Sequence, residues 1–119
     1  MSDTTLQMTM LFDFFGDLLT EKQRDYFDLY HNEDLSLSEI ADMAGISRQG
    51  VYDIITRAEK SLEEFERKTG VVRRWTETRE GLEIAGKLAQ SLNELTSGNP
   101  QAKQAAQKLV VTLQELTDS

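Results

Sequence analysis

At 119 residues, 39% hydrophobic and 29% charged, the chain has the balance of one small globular domain, not of a disordered or membrane protein. It contains no Cys, which removes disulfides and thiolate metal sites. Its net charge of −8 makes it a poor generic binder of phosphate, so any nucleic-acid contact has to be local. Residues 46–75, with seven bases and five acids, are the one net-basic stretch; residues 1–45 carry ten acids and two bases, and residues 76–119 six acids and four bases.

The N-terminus lacks the basic segment of a signal peptide. The most apolar stretch, Met8 to Leu19, is short and is broken by Asp13 and Asp17, so it does not read as a membrane span. A cytoplasmic protein without membrane contact is expected. Apolar residues recur at three and four positions with almost no alternation, which predicts an all-α chain of six helices.

The first helix is predicted from about Thr5 to Leu18, with Leu6, Met10, Phe14 and Leu18 as its apolar stripe. Thr20-Glu21-Lys22-Gln23 has the form of a capping box and opens the second helix, whose face carries Tyr26, Phe27, Leu29 and Tyr30. Asn32-Glu33-Asp34 reads as a turn. Ser36-Leu37-Ser38-Glu39 is a second capping box, with Leu35 and Ile40 at staple spacing, and the short helix it starts ends near Ala44 before Gly45. Ser47 caps a fourth helix running to Thr69, stopped by Gly70. Val71 to Trp75 reads as a connector. A fifth helix over Thr76–Thr96 turns Leu82, Ala85, Leu88, Leu92 and Leu95 inward. Ser97-Gly98-Asn99-Pro100 breaks the chain before a sixth helix, Gln101 to about Asp118. The expected organisation is a single domain, 1–119, with a helix-turn-helix core in 1–70 and a C-terminal helical hairpin in 71–119 that offers a dimerisation element.

Leu37 to Thr56, LSEIADMAGISRQGVYDIIT, meets the demands of a helix-turn-helix pair. Ala41 is small where the helices cross, Gly45 can take positive φ in the turn, and Ile40, Ile46, Val51 and Ile54 supply apolar contacts. Beyond the Ser47 cap, Arg48, Gln49 and Tyr52 stand where recognition helices meet base edges. Arg and Gln can make bidentate base contacts, and Tyr can stack or bind phosphate. Arg57 and Lys60 continue the helix toward phosphates, although salt bridges with Asp53, Glu59, Glu63 and Glu64 explain them equally well. Arg73 and Arg74, beside Trp75, could serve an unpaired RNA base, or the Trp packs on the hairpin and the arginines are solvated.

Over Leu19–Phe65 the order of capped support helix, acidic turn, LSLSEIA, GISRQGV and an Arg-Ala-Glu-Lys ending resembles region 4 of bacterial sigma factors. The other sigma regions are not represented, so a complete sigma factor is not expected. With Leu11-Phe12-Asp13-Phe14, Leu18-Leu19-Thr20, Gln23-Arg24-Asp25-Tyr26-Phe27, Asp34-Leu35-Ser36-Leu37, Ser47-Arg48-Gln49 and Val51-Tyr52-Asp53, the chain is similar to the YlxM family across roughly residues 10–75. Gly50 departs from the Ala expected there. The resemblance implies a sigma-region-4-like core and an accessory or regulatory role toward the signal recognition particle, with that particle's RNA, or DNA, as nucleic-acid partner. The ten acids of residues 1–45 suit a second reading, an adaptor that meets the particle's GTPase through an acidic surface. A DNA-binding transcription regulator is a variant of the first.

Phe12, Phe14, Phe15, Tyr26, Phe27 and Tyr30 read as core, and three adjacent apolar positions in the first helix leave some for a dimer surface. A homodimer is expected. His31 stands alone in the sequence, without HxxxH spacing, so neither metal nor catalysis is expected of it. No phosphate loop or nucleophile motif is present, and the reading is of a non-catalytic protein without cofactor or metal.

Overall fold

The computed structural model describes residues 3–118, and these are α-helical apart from short turns: α1 (Asp3–Phe15), α2 (Glu21–Phe27), α3 (Leu37–Ala44), α4 (Arg48–Thr69), α5 (Val71–Leu95) and α6 (Pro100–Asp118). A 3-10 turn over Gly16–Leu18 follows α1, and a π-helical turn over Asp28–Asn32 follows α2. Among the described residues there is no strand, as an all-α helix-turn-helix protein requires. The chain divides into two compact units, Met1–Val72 and Arg73–Ser119.

The helix starts of the first unit follow from local side-chain chemistry. Thr20 Oγ1 accepts the Gln23 amide (3.2 Å) and Gln23 Oε1 accepts the Thr20 amide (3.1 Å). Ser36 and Glu39 make the same reciprocal pair at 3.1 and 3.2 Å. Each box satisfies two of the backbone donors that a helix N-terminus leaves without a partner.

Two apolar clusters hold this unit. Met8, Leu11, Phe15, Leu19, Phe27, Ala58, Leu62 and Val72 form the larger one. Ile40, Ala41, Val51 and Ile55 form the smaller, with Tyr26, Leu29, Leu35 and Leu37 packed against it. Helix α4 serves both, because Val51, Ile55, Ala58 and Leu62 recur every three or four residues along one stripe.

The buried stripe of α1 is not Leu6, Met10, Phe14 and Leu18 but its neighbour, Met8, Leu11 and Phe15, continued by Leu19; Leu6 and Leu18 are 54% and 65% exposed. Helix α1 is apolar nearly all round, so periodicity cannot choose between two stripes of equal spacing. The acids can: Asp13 and Asp17 fall on the side opposite Leu11 and Phe15, which marks that side as solvent. Of the aromatics expected in the core, Phe15 and Phe27 are buried and Phe14 and Tyr30 are exposed. In the motif Ile40 and Val51 are buried as expected, but on α4 the buried isoleucine is Ile55, not Ile54, and Ile46 remains 40% exposed.

The expected connector at Val71–Trp75 is instead the first turn of α5. Gly70 (φ 61°) ends α4, its amide donating to the Glu66 carbonyl at 2.7 Å. The next orphan amides are then met by α4 side chains. The Val72 N–H donates to Glu66 Oε1 at 2.9 Å and the Val71 N–H to Thr69 Oγ1 at 3.4 Å. With its caps supplied from behind, α5 starts at once and needs no Ser or Thr directly before it.

In the second unit, α5 and α6 are joined by the turn before Pro100, where Asn99 Oδ1 accepts the Ala102 amide at 3.1 Å. The helices line a common groove of about 310 Å³ that includes Leu82, Gly86, Val110 and Leu113. Lys103 Nζ crosses from α6 to the Asn93 carbonyl of α5 at 2.9 Å. Among the described residues of this unit only Ala89 and Ala106 are fully buried; Leu88, Leu92 and Leu95, expected inward, are exposed, as is Leu109. Alanines are the buried points of the seam, Leu82, Val110 and Leu113 are half-buried along it, and the other leucines named stay outside it.

Candidate nucleic-acid interface

The turn between α3 and α4 is built by its backbone. Gly45 takes the left-handed conformation (φ 71°, ψ 30°), and the amides of Gly45 and Ile46 both donate to the Ala41 carbonyl, at 2.9 and 3.3 Å. A Cβ at Gly45 would meet nothing within 4 Å, so its cost there is conformational and not steric. Gly45→Ala is therefore expected to destabilise the first unit by about 1 kcal/mol without disturbing its packing, measurable as a lower urea midpoint at unchanged m.

Ser47 closes the other side of the turn. Its Oγ accepts the Gly50 amide at 3.0 Å, a cap two residues after Gly45 from which α4 starts at Arg48. A side chain at Gly50 would bring its Cβ to 3.1 Å from that Oγ, so the Ala expected there would have to push the cap aside slightly.

Arg48, Gln49 and Tyr52 all lie exposed in the first turns of α4, with Tyr52 at 52%. Gln49 Nε2 donates to Asp53 Oδ1 at 2.9 Å, one turn on. Arg57 and Lys60 follow on the solvent side, since positions 49, 53, 57 and 60 share a helix face. Among the described residues Arg48, Arg57 and Lys60 form no ion pair, although salt bridges offered an equal account of the last two. Two of the α4 carboxylates that could pair with them are engaged elsewhere. Glu59 Oε2 lies 3.1 Å from His31 Nε2, and Glu64 holds Arg67 and Lys68. Arg73 and Arg74 are exposed in the first turn of α5, which places them in the second unit. The Trp75 ring beside them carries the Arg79 guanidinium 5.2 Å from its centroid, a cation–π contact.

Charge around the motif is mixed. Between residues 33 and 60 the bases Arg48, Arg57 and Lys60 face the acids Glu33, Asp34, Glu39, Asp42, Asp53 and Glu59. The cations are thus confined to one helix, beside an acidic surface.

The pairing of His31 was not apparent from the sequence. Its ring stacks on Phe27 (centroids 4.2 Å apart), meets Tyr30 edge-on at 5.1 Å and reaches Glu59, tying the π-helical turn to α4. The partners are 28 residues apart, beyond any local pattern. The pair itself lines a shallow cavity of about 520 Å³, with Tyr30, Asp34, Ser36 and Glu39 also in the lining and no Lys or Arg.

At the far end of α4, the hydrogen bonds that Arg67 donates to Glu64, reinforced by the charges of Arg67 and Lys68, lower the Glu64 pKa to about 2 from 4.5. The same contact raises that of Arg67. A carboxyl depressed in the folded state contributes stability above its unfolded pKa and loses it as pH falls from about 4.5 toward 2. NMR titration should find Glu64 still ionised at pH 3, and Arg67→Gln should return it toward the ordinary carboxylate range.

Comparison with known families agrees with this geometry. The family described as "Putative helix-turn-helix protein, YlxM / p13 like" (UPF0122) matches residues 2–109. The chain belongs to this family. A UPF0122 protein of Shouchella clausii is 45% identical over 98% of this chain and 99% of its own length. One from Bacillus mycoides is 42% identical over 92% and 96%. A UPF0122 protein of Thermoanaerobacter sp. (strain X514) reaches 56%, with the match spanning 65% of this chain and 66% of that protein. Among the described residues of this family member, no helix is long and apolar enough to cross a membrane.

Proposed function

We propose that this protein is a non-catalytic, nucleic-acid-binding accessory or regulator of the signal recognition particle pathway and that it works as a homodimer. The observation that carries the binding role is the set of three bases on α4, Arg48, Arg57 and Lys60, that make no ion pair among the described residues, beside exposed Gln49 and Tyr52. Unpaired cations on the helix that follows a helix-turn-helix turn are the equipment for phosphate and base-edge contacts. Membership of the helix-turn-helix family supports the same class of ligand. The connection to the particle rests on the YlxM resemblance, and cytoplasmic location follows from the same reading.

The testing experiment is fluorescence anisotropy against labelled signal recognition particle RNA and mixed-sequence duplex DNA, at low and physiological salt. Binding selective for the RNA and persistent in salt is the expected result. DNA binding that weakens steeply with salt would replace it with a transcription-regulator role.

A second reading is favoured by the acidic cavity beside His31. Lined by Asp34, Glu39 and Glu59, it suits a Lys or Arg of a protein partner, as an adaptor for the particle's GTPase would need. Absence of binding to either nucleic acid, with GTPase binding that survives nuclease and Arg48→Ala, would establish it over the first.

A further inference from the structure

The apolar surface left open on the second unit occupies one defined side of it. Along α5, Ala85, Ala89 and Thr96 follow the seam toward α6, and Ile84, Leu88, Leu92 and Leu95 form a second stripe about a quarter turn away. On α6 the seam runs through Ala106, Val110 and Leu113, and Ala105 and Leu109 lie beside it. The two helices run antiparallel, so a quarter turn in the same rotational sense on each brings both outer stripes to the same side of the pair. The opposite side holds the groove described above, whose half-buried floor is Leu82, Gly86, Val110 and Leu113 and whose exposed rim is Glu83, Lys87, Gln90 and Gln114. The exposed rim of the groove side is therefore polar, and the other side carries leucines that are 65%, 48%, 83% and 44% exposed at positions 88, 92, 95 and 109.

We infer that this side, of about 20 Å from Gly81 to Leu95 at 1.5 Å per residue, is the homodimer surface, and that two copies of the α5–α6 pair close into a four-helix bundle. Three observations point to a second copy as the occupant. The first is thinness: a helical pair in which Ala89 and Ala106 alone are fully buried among the described residues lacks a core of its own, and a copy of itself supplies one. The second is charge. Residues 73–119 carry six bases and six acids, whereas residues 1–72 carry seven and fifteen, so the α5–α6 pair is the part of the chain that meets its copy without net repulsion. The third is self-complementarity of size. Helix α5 presents Leu88, Leu92 and Leu95, and α6 presents Ala102, Ala105 and Leu109. A two-fold axis parallel to the helices lays the α5 leucines of one copy on the α6 alanines of the other.

This inference rests on the dimeric reading above, and its test separates the two. The mass of the full chain is measured by light scattering after size exclusion for the wild type, Leu88→Lys/Leu92→Lys, and Glu83→Lys/Lys87→Glu on the polar side. Thermal melts of the wild type at several concentrations accompany it. The expected result is a wild-type dimer of twice 13.5 kDa that melts higher as concentration rises. The leucine variant should show a dimer Kd raised at least a hundredfold, and the polar-side variant should remain dimeric. A dimer that survives Leu88→Lys/Leu92→Lys would overturn the surface and leave the dimeric reading standing. A monomeric wild type with a concentration-independent melt would overturn both.

Discussion

Replacing Phe27 by Ala should cost the first unit about 3–5 kcal/mol, the usual range for truncating a fully buried aromatic. Phe27 is inaccessible to solvent, and its ring is the meeting point of three elements. Phe12 from α1 stacks on it with centroids 4.6 Å apart, and His31 from the π-helical turn stacks at 4.2 Å. Ala58 and Leu62 of α4 share its cluster. Removing the ring deletes its transfer free energy, leaves a cavity that only partial relaxation can fill, and releases the two stacked partners. Loss of the His31 contact also loosens the Glu59 link to α4. A small domain has about 5–15 kcal/mol in all, so much of this unit's reserve disappears. Urea unfolding followed by circular dichroism checks it. A loss below 1 kcal/mol would mean that Phe27 does not occupy the packed centre described above. Phe27→Leu, which keeps most of the volume, should recover more than half of the loss.

The second large effect concerns binding. Arg48→Ala should weaken nucleic-acid affinity by ten- to a hundredfold, about 1–3 kcal/mol, and leave the melting temperature unchanged. The two parts of this expectation share one cause. Arg48 is exposed and makes no ion pair among the described residues, so the free protein loses nothing when it is cut back and the complex loses a bidentate donor. Arg48→Lys separates two kinds of contact. A phosphate contact tolerates a point charge, whereas a base-edge contact depends on the planar fork of the guanidinium and would fail with Lys. The salt dependence adds an independent check, because loss of one phosphate contact lowers the slope of log K against log salt by about 1. Unchanged affinity in Arg48→Ala would remove this residue from the interface and shift the weight to the acidic cavity.

What the sequence disclosed of this fold was whatever is decided within four residues. Both capping boxes, the Ser47 cap and the left-handed Gly45 are local devices, and each stands where its residue types place it. The helix-turn-helix pair follows from them. Features decided at a distance were harder to read. Two stripes on α1 have the same spacing, and the choice between them falls to Phe27 and Leu62, far along the chain, with Asp13 and Asp17 as the one local hint. The α5 start was hidden because Glu66 and Thr69 cap it from the preceding helix and not from the position before it. His31 looked solitary because its partner is on α4. At the candidate interface, the residue types and their exposure were legible from the motif; that Glu59 and Glu64 turn to His31, Arg67 and Lys68 and leave Arg57 and Lys60 without ion pairs was not, since surface pairing depends on rotamers that helical spacing alone does not select.

The division of the first unit into a large and a small cluster has a consequence for how the protein breathes. Helix α3 is eight residues long and is fastened by the cluster of Ile40, Ala41, Val51 and Ile55, whereas the far half of α4 is clamped by the ring stack around Phe27. Opening the small cluster exposes few apolar groups, so α3 is expected to open at a lower free energy than global unfolding, which native-state hydrogen exchange would read. Its amides should then exchange as a low-energy cooperative segment, and those around Ala58 and Leu62 should be the last to exchange. On that expectation the turn between α3 and α4 sits at the border of the two segments, and the helix that carries the proposed contact residues Arg48, Gln49 and Tyr52 stays fixed.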